Sequence, residues 1–103
     1  MSIPDTTTLA YMREMLDYHD TGHGALIWRY GRLRGEIAGT ETTTANPELR
    51  VRFDGTSYLA AKIAWFLAIG YWPENRLKFL NEDRTDIRME NLEETERVDG
   101  PGR

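Results

Sequence analysis

Residues 49–69, LRVRFDGTSYLAAKIAWFLAI, constrain this chain more than any other stretch. Leu49, Val51 and Phe53 alternate with Arg50 and Arg52, a period of two that places apolar side chains on one face of a strand and guanidinium groups on the other. Asp54-Gly55 comes next, the dipeptide that suits a type I′ hairpin turn because both central residues must accept positive φ. After the returning strand come ten residues, Ala60 to Ile69, with Lys62 the only charge among them. Such a segment is a helix buried nearly all round, and Gly70 with Pro73 beyond it stops that helix. A hairpin feeding a buried helix demands that other elements cover the helix, and the rest of the chain has to supply them.

The flanking segments supply short elements. From Thr7 to Tyr18, Leu9, Met12 and Leu16 recur at helical spacing, with Thr6 to Thr8 as a cap and Asp20-Thr21-Gly22 as a stop. Residues 25–30, ALIWRY, and 35–40, GEIAGT, read as two strands separated by glycine-bounded turns. Leu77 to Leu80 forms a short apolar piece, and residues 85–93 are expected to form a last helix. The tail from about residue 94 to 103, charged and ending in Gly and Pro, is expected to fray. The expectation is one α+β domain over residues 1–103: an N-terminal helix, a short antiparallel sheet, a central buried helix and a C-terminal helix.

Charge is distributed unevenly along a chain whose net charge is −4. Residues 28–52 sum to +2, whereas residues 1–27 and 73–103 each sum to −3. The basic middle contains Arg29, Arg32, Arg34, Arg50 and Arg52, and with Lys62 these form a candidate binding strip for nucleic acid or another partner. A solvated sheet face is the plainer reading of the same arginines. Trp28 and Tyr30 lie beside arginines as a base-stacking platform would, although aromatics such as Trp65, Trp72, Tyr58 and Tyr71 belong first to the core of so small a domain. Without cysteine there is no disulfide or thiolate metal site. The N-terminal segment has no basic region leading into an apolar run, and no window is long enough to cross a bilayer, so a cytoplasmic chain without membrane partners is expected.

The pieces YHDTGHGALIW, GEIAGT, VRFDGTSYLAAKIAWFLAIGYWP and LNEDRTDIRMENL, in that order from about Leu9 to Leu92, resemble the small HNH endonucleases of phages, relatives of the HNH homing endonucleases. The resemblance implies a ββα-metal fold in which a hairpin and a helix hold one divalent ion. It also implies a carboxylate for the metal, an imidazole base and an orienting Asn, the groups that metal-assisted phosphodiester cleavage needs. Residue by residue, the family's first His falls on Ala61, before Lys62, and its Asp-His pair falls on Lys78 and Phe79. Its later Asn matches Asn91, and Asn81, Asp83, Asp86 and Arg88 match too; a neighbouring Asn is replaced by Ile87, and beyond Leu92 the pattern is lost. An ammonium repels a divalent cation, and a phenyl ring neither ligates nor accepts a proton.

These substitutions imply a vestigial catalytic centre at Ala61, Lys78, Phe79 and Asn91, with no metal and no cofactor expected. The resemblance points to a phage protein acting in the cytoplasm of an infected bacterial host. Its partner is then a host nucleic-acid-handling or defence complex, inhibited in the manner of an anti-CRISPR, or double-stranded DNA gripped by the basic strip. A homodimer through an apolar patch at Phe79 is a further expectation. A rebuilt metal site is the third reading, from His19 and His23 or from Asp83, Asp86 and Glu90, whose spacing would align them on a helix.

Overall fold

The computed structural model describes residues 4–53 and 55–95. They form an α+β domain of two helices and three small antiparallel sheets. Helix α1 spans Thr6–Met15 and is capped by Asp5, whose side chain accepts from the Thr8 N–H at 2.8 Å. The cap is therefore one residue before the predicted threonines, and a carboxylate there also faces the positive helix end. The helix stops at Met15 rather than Tyr18, because Leu16–His19 becomes strand β1 and pairs with β2, Ala25–Trp28. Strand β3, Ile37–Ala38, pairs with the other edge of β2.

The single predicted sheet is divided at Gly39. This residue has φ of 118°, a conformation a side chain disfavours, and through it the chain leaves β3 and enters β4, Thr40–Glu41. Strand β4 pairs with β5, Leu49–Phe53, which pairs in turn with β6, Thr56–Leu59. The β5–β6 hairpin matches the alternation read from the sequence, with Val51 and Phe53 buried and Arg52 exposed; Asp54 of its turn lies outside the described residues.

Helix α2, Ala60–Ile69, continues from β6 without a break and is the central element. Ala60, Ala61, Ile63, Ala64 and Phe66 are buried, and the helix packs on β1, β2, β5 and β6. Each fully buried residue the size of Ile63 or Phe66 contributes roughly 2 kcal/mol. Gly70 closes the helix in the left-handed conformation, its N–H bonded to the Phe66 carbonyl. Trp72 then turns back to meet Tyr58 and Phe66, while Tyr71, expected inside, is half exposed. No helix among the described residues is long and apolar enough to cross a membrane.

Residues 85–93 do not form the predicted C-terminal helix. Residues 80–88 are an irregular loop that leads into one 3₁₀ turn at Met89–Asn91, and Leu92–Glu94 is strand β8 paired with β7, Leu77–Phe79. Of the predicted tail only Glu94 and Thr95 are described, and residues 96–103 lie outside the described residues. The Glu94 carboxylate accepts from the backbone of Glu74 and Asn75 and from the Tyr71 hydroxyl, pinning the 70–76 turn.

Sheets and loop meet at Gly24. A Cβ there would stand 2.9 Å from the Ile87 carbonyl carbon and 3.0 Å from the Arg88 nitrogen, and φ is 79°. Gly24→Ala is therefore expected to destabilise the fold by about 2 kcal/mol or more. Thermal denaturation should show it as a fall in Tm, whereas Gly22→Ala, with open space around its Cβ, should show the smaller cost of positive φ alone.

Candidate functional site

Strand β7 places Leu77 inward and Lys78 outward, with Phe79 half-buried against the core, so Lys78 is presented at the surface and Phe79 partly so, beside β8. The loop after β7 holds this strand in place. Asp86, only 1% exposed, accepts two short bonds from Arg88, 2.8 Å from Nε and 2.7 Å from a terminal nitrogen. Asn81 Nδ2 donates a third bond to the same carboxylate at 2.9 Å. Asn91 is equally enclosed: its side chain accepts from the Asn81 N–H and donates to the Asp86 carbonyl. Asn81 in turn accepts from the Asp83 N–H, and Asp83 accepts from both the Thr85 N–H and hydroxyl.

Asn81, Asp83, Asp86, Arg88 and Asn91 are thus braces of one loop. Their hydrogen bonds run to each other, to Thr85, to Glu90 and to backbone. The electrostatics agree. The bonds from Arg88 hold the Asp86 carboxyl down at about 2 against the cost of its burial. Thr85 lowers Asp83, and Asp86 raises Arg88. Burial pushes the Tyr18 hydroxyl up, and that hydroxyl donates to the Ile87 carbonyl at 2.7 Å, tying the loop to β1.

Lys78 and Phe79 line a groove of about 670 Å³ between β7 and the β4–β6 sheet, together with Arg76, Arg84, Glu48 and Leu59. A second groove of about 540 Å³ shares Glu48, Leu59 and Arg76 and adds Arg50 and Lys62. Glu48 is the hinge between them: it pairs with Arg50 at 2.9 Å and with Arg84 at 3.4 Å, joining β5 to the 80–88 loop. Arg50 is further fixed by the Ser57 hydroxyl and carbonyl. Burial lowers Lys62, and the neighbouring Arg50 lowers it further, so cations have been brought close enough to feel one another.

The predicted sites are redistributed accordingly. Arg50 and Lys62 join the groove. Arg52 lies on the same strand face but reaches toward the Gly55 carbonyl at the hairpin end. Arg29, Arg32 and Arg34 stand in the β2–β3 connection, so there is no single strip of six. Ala61 is buried in the core and does not line the groove. His19 is on β1 and His23 in the turn beyond it, with His23 Nε2 3.7 Å from Asp83. Asp83, Asp86 and Glu90 share no helix face, because no helix exists there; Glu90 instead bonds Arg88. Among the described residues no group of three or more His, Cys, Asp or Glu is placed to hold a metal ion. At positions 78 and 79 the ammonium and phenyl groups do not fit a divalent cation.

Sequence reasoning missed Arg76, Arg84 and Glu48. Arg76 and Lys78 are two apart at a strand, a spacing that puts both side chains on one side, and that signal was present. Glu48 and Arg84 are 36 residues apart, and nothing local announces their pairing. No family model, curated protein or solved structure matches this chain, so what the groove can do rests on its own residues.

Because the Asp86 carboxyl is depressed from 3.8 to about 2, its stabilisation is complete above pH 4 and is lost as the pH falls toward 2, a loss of about 2 kcal/mol. Asp86→Asn should remove that acid-sensitive portion and strand Arg88, lowering Tm by roughly 10 °C at neutral pH. Denaturation at several pH values checks both.

Proposed function

We propose that this chain is a catalytically inactive, HNH-derived binding domain that grips nucleic-acid phosphates in the groove beside Lys78 and does not cut them. The observation that carries the reading is the lining itself. Arg76, Lys78 and Arg84 against Glu48 and Glu82 give this groove +1, and Arg50 and Lys62 of the adjoining groove raise the two together to +3 on a chain of net −4. Phosphates are the natural ligand of such a surface: lysine acts as a point charge, arginine as a bidentate fork, and each neutralised phosphate releases a counterion. Glu48 pre-aims two of the guanidinium groups, which lowers the entropy lost when they bind. In the HNH frame, Lys78 takes the place of the metal's carboxylate. An exposed cation on β7 then meets the phosphate directly, and with Phe79 for the base no hydroxide is made nearby.

A second reading is favoured by the other half of the same charge balance. With +3 in the two grooves together, the remainder of the chain sums to −7. An acidic exterior complements proteins whose own grooves are built for nucleic acid, as a phage-encoded inhibitor of a host defence complex requires.

Fluorescence anisotropy with a duplex of about 20 base pairs separates them. Under the first reading affinity falls steeply between about 50 and 200 mM salt. Arg76→Glu with Lys78→Glu weakens binding by about tenfold or more and flattens the salt slope, while a supercoiled plasmid stays intact with magnesium, manganese or nickel. Nicking, or binding indifferent to both substitutions, overturns it. A chain that ignores DNA but forms a stoichiometric complex with a host defence assembly in gel filtration establishes the second.

A further inference from the structure

The β2–β3 connection, residues 29–36, is a basic finger that the groove does not use. It starts from a fixed base: the Arg29 N–H bonds the Met15 carbonyl at 2.8 Å, and Trp28 and Gly35 or Glu36 exchange bonds of 2.9 and 3.1 Å. Two glycines in the left-handed region, Gly31 at φ 90° and Gly35 at φ 86°, turn the chain, and a Cβ on either would meet nothing within 4 Å. The finger therefore stands clear of the body while its backbone is held by bonds from Arg34 to Gly31 and from Glu36 to Leu33.

Its side chains make a consistent set. Arg29, Arg32 and Arg34 are exposed, Tyr30 is 50% exposed and Leu33 39%. The Arg29 guanidinium lies 5.5 Å from the centre of the Tyr30 ring and 3.8 Å from Asp17, so the ring is steadied by a stacked cation. Trp28, the other aromatic beside these arginines, is half-buried against Phe53 at 5.7 Å and belongs to the core. Tyr30 is left as the one stacking surface of the finger, with Leu33 extending its apolar area.

We infer that the finger is a stacking platform for unpaired bases, so that the nucleic acid held by this chain includes a single-stranded segment. An exposed ring among three arginines offers a π-face for a base and guanidinium groups for the adjoining phosphates. A duplex presents its base faces only to one another, and would use the arginines but not the ring. The inference rests on the reading that the partner is nucleic acid, and it concerns a surface distinct from the groove.

The test uses the intact chain and a labelled oligonucleotide of about 12 nucleotides, alone and annealed to its complement. Tyr30→Ala should weaken single-strand binding by about fivefold or more and change duplex binding by less than about twofold, with Tyr30→Phe restoring the single-strand affinity. Arg32→Ala with Arg34→Ala should weaken single-strand binding and lower its salt slope by about 1.4. Circular dichroism should be unaltered in all three, since these side chains are exposed. Tyr30→Ala binding the single strand as wild type does, or losing both forms equally, overturns the inference and leaves the finger as a surface for a protein. If wild type binds duplex but no single strand, this inference alone fails. Binding of neither form fails the groove reading as well.

Discussion

A carboxylate withdrawn from water has to be satisfied or neutralised, and Asp86 is satisfied, at 1% exposure, by Arg88 and Asn81. Most of the site's geometry descends from that requirement. Asn81 can serve Asp86 only if the loop turns back at Glu82, which takes a positive φ of 67° to allow it. Asn91 secures the same turn from the far side, and the returning chain then lies beside β7 as β8. Without a fixed β7 there is no wall to the groove, and Arg76 and Lys78 would lose their common direction. The bonds are charge-assisted and share members, so removing one partner leaves the others buried and unpaired.

This dependence also explains why residues 85–93 do not form the helix their spacing predicts. Asp83, Asp86 and Glu90 repeat at helical intervals, but Asn81 and Asp83 bind backbone N–H groups two residues on, which competes with a helix at its first turn. Ile87 is 1% exposed beside Gly24, and its N–H is taken by the His23 carbonyl. Tertiary contacts thus claim the donors a helix would need. By contrast, the β5–β6 hairpin and the extent of α2 were legible, although α2 is not buried all round as expected: Ala68 and Ile69 at its end are exposed. Their signals are local: alternation along one strand, an apolar run and a glycine stop. The division of the first two sheets was hidden because it turns on the backbone of Gly39, which pattern alone does not distinguish from a strand glycine, and the third sheet was hidden because β8 lies where a helix was predicted.

The site was legible in the same proportion. Lys78 and Phe79 were identifiable through the HNH resemblance, and Arg50 and Lys62 through the basic middle of the chain. The partners that turn them into a groove come from elsewhere in the sequence. Glu48 precedes β5, Arg84 sits in the loop, and their 3.4 Å contact exists only after both sheets and the loop have assembled. A charge count by segment assigns residues 73–103 to an acidic end and so conceals that Arg76, Lys78 and Arg84 face the same way as Arg50.

Net charge and local charge then act at different ranges. At physiological ionic strength a charge is felt over about 8 Å. Beyond that distance a polyanion meets a chain of net −4 and gains no general attraction from it. Within it, the field belongs to whichever surface is presented, +3 across the two adjoining grooves or the arginines of the finger. Such a chain discriminates by orientation. On the proposed reading, non-specific sliding along DNA, which needs a broad positive face, is disfavoured, and binding is reserved for a ligand that can bring its phosphates into a concave set of cations. Under that proposal the acidic remainder of the chain is part of the selectivity, because it penalises every approach except those that end in the grooves or on the finger.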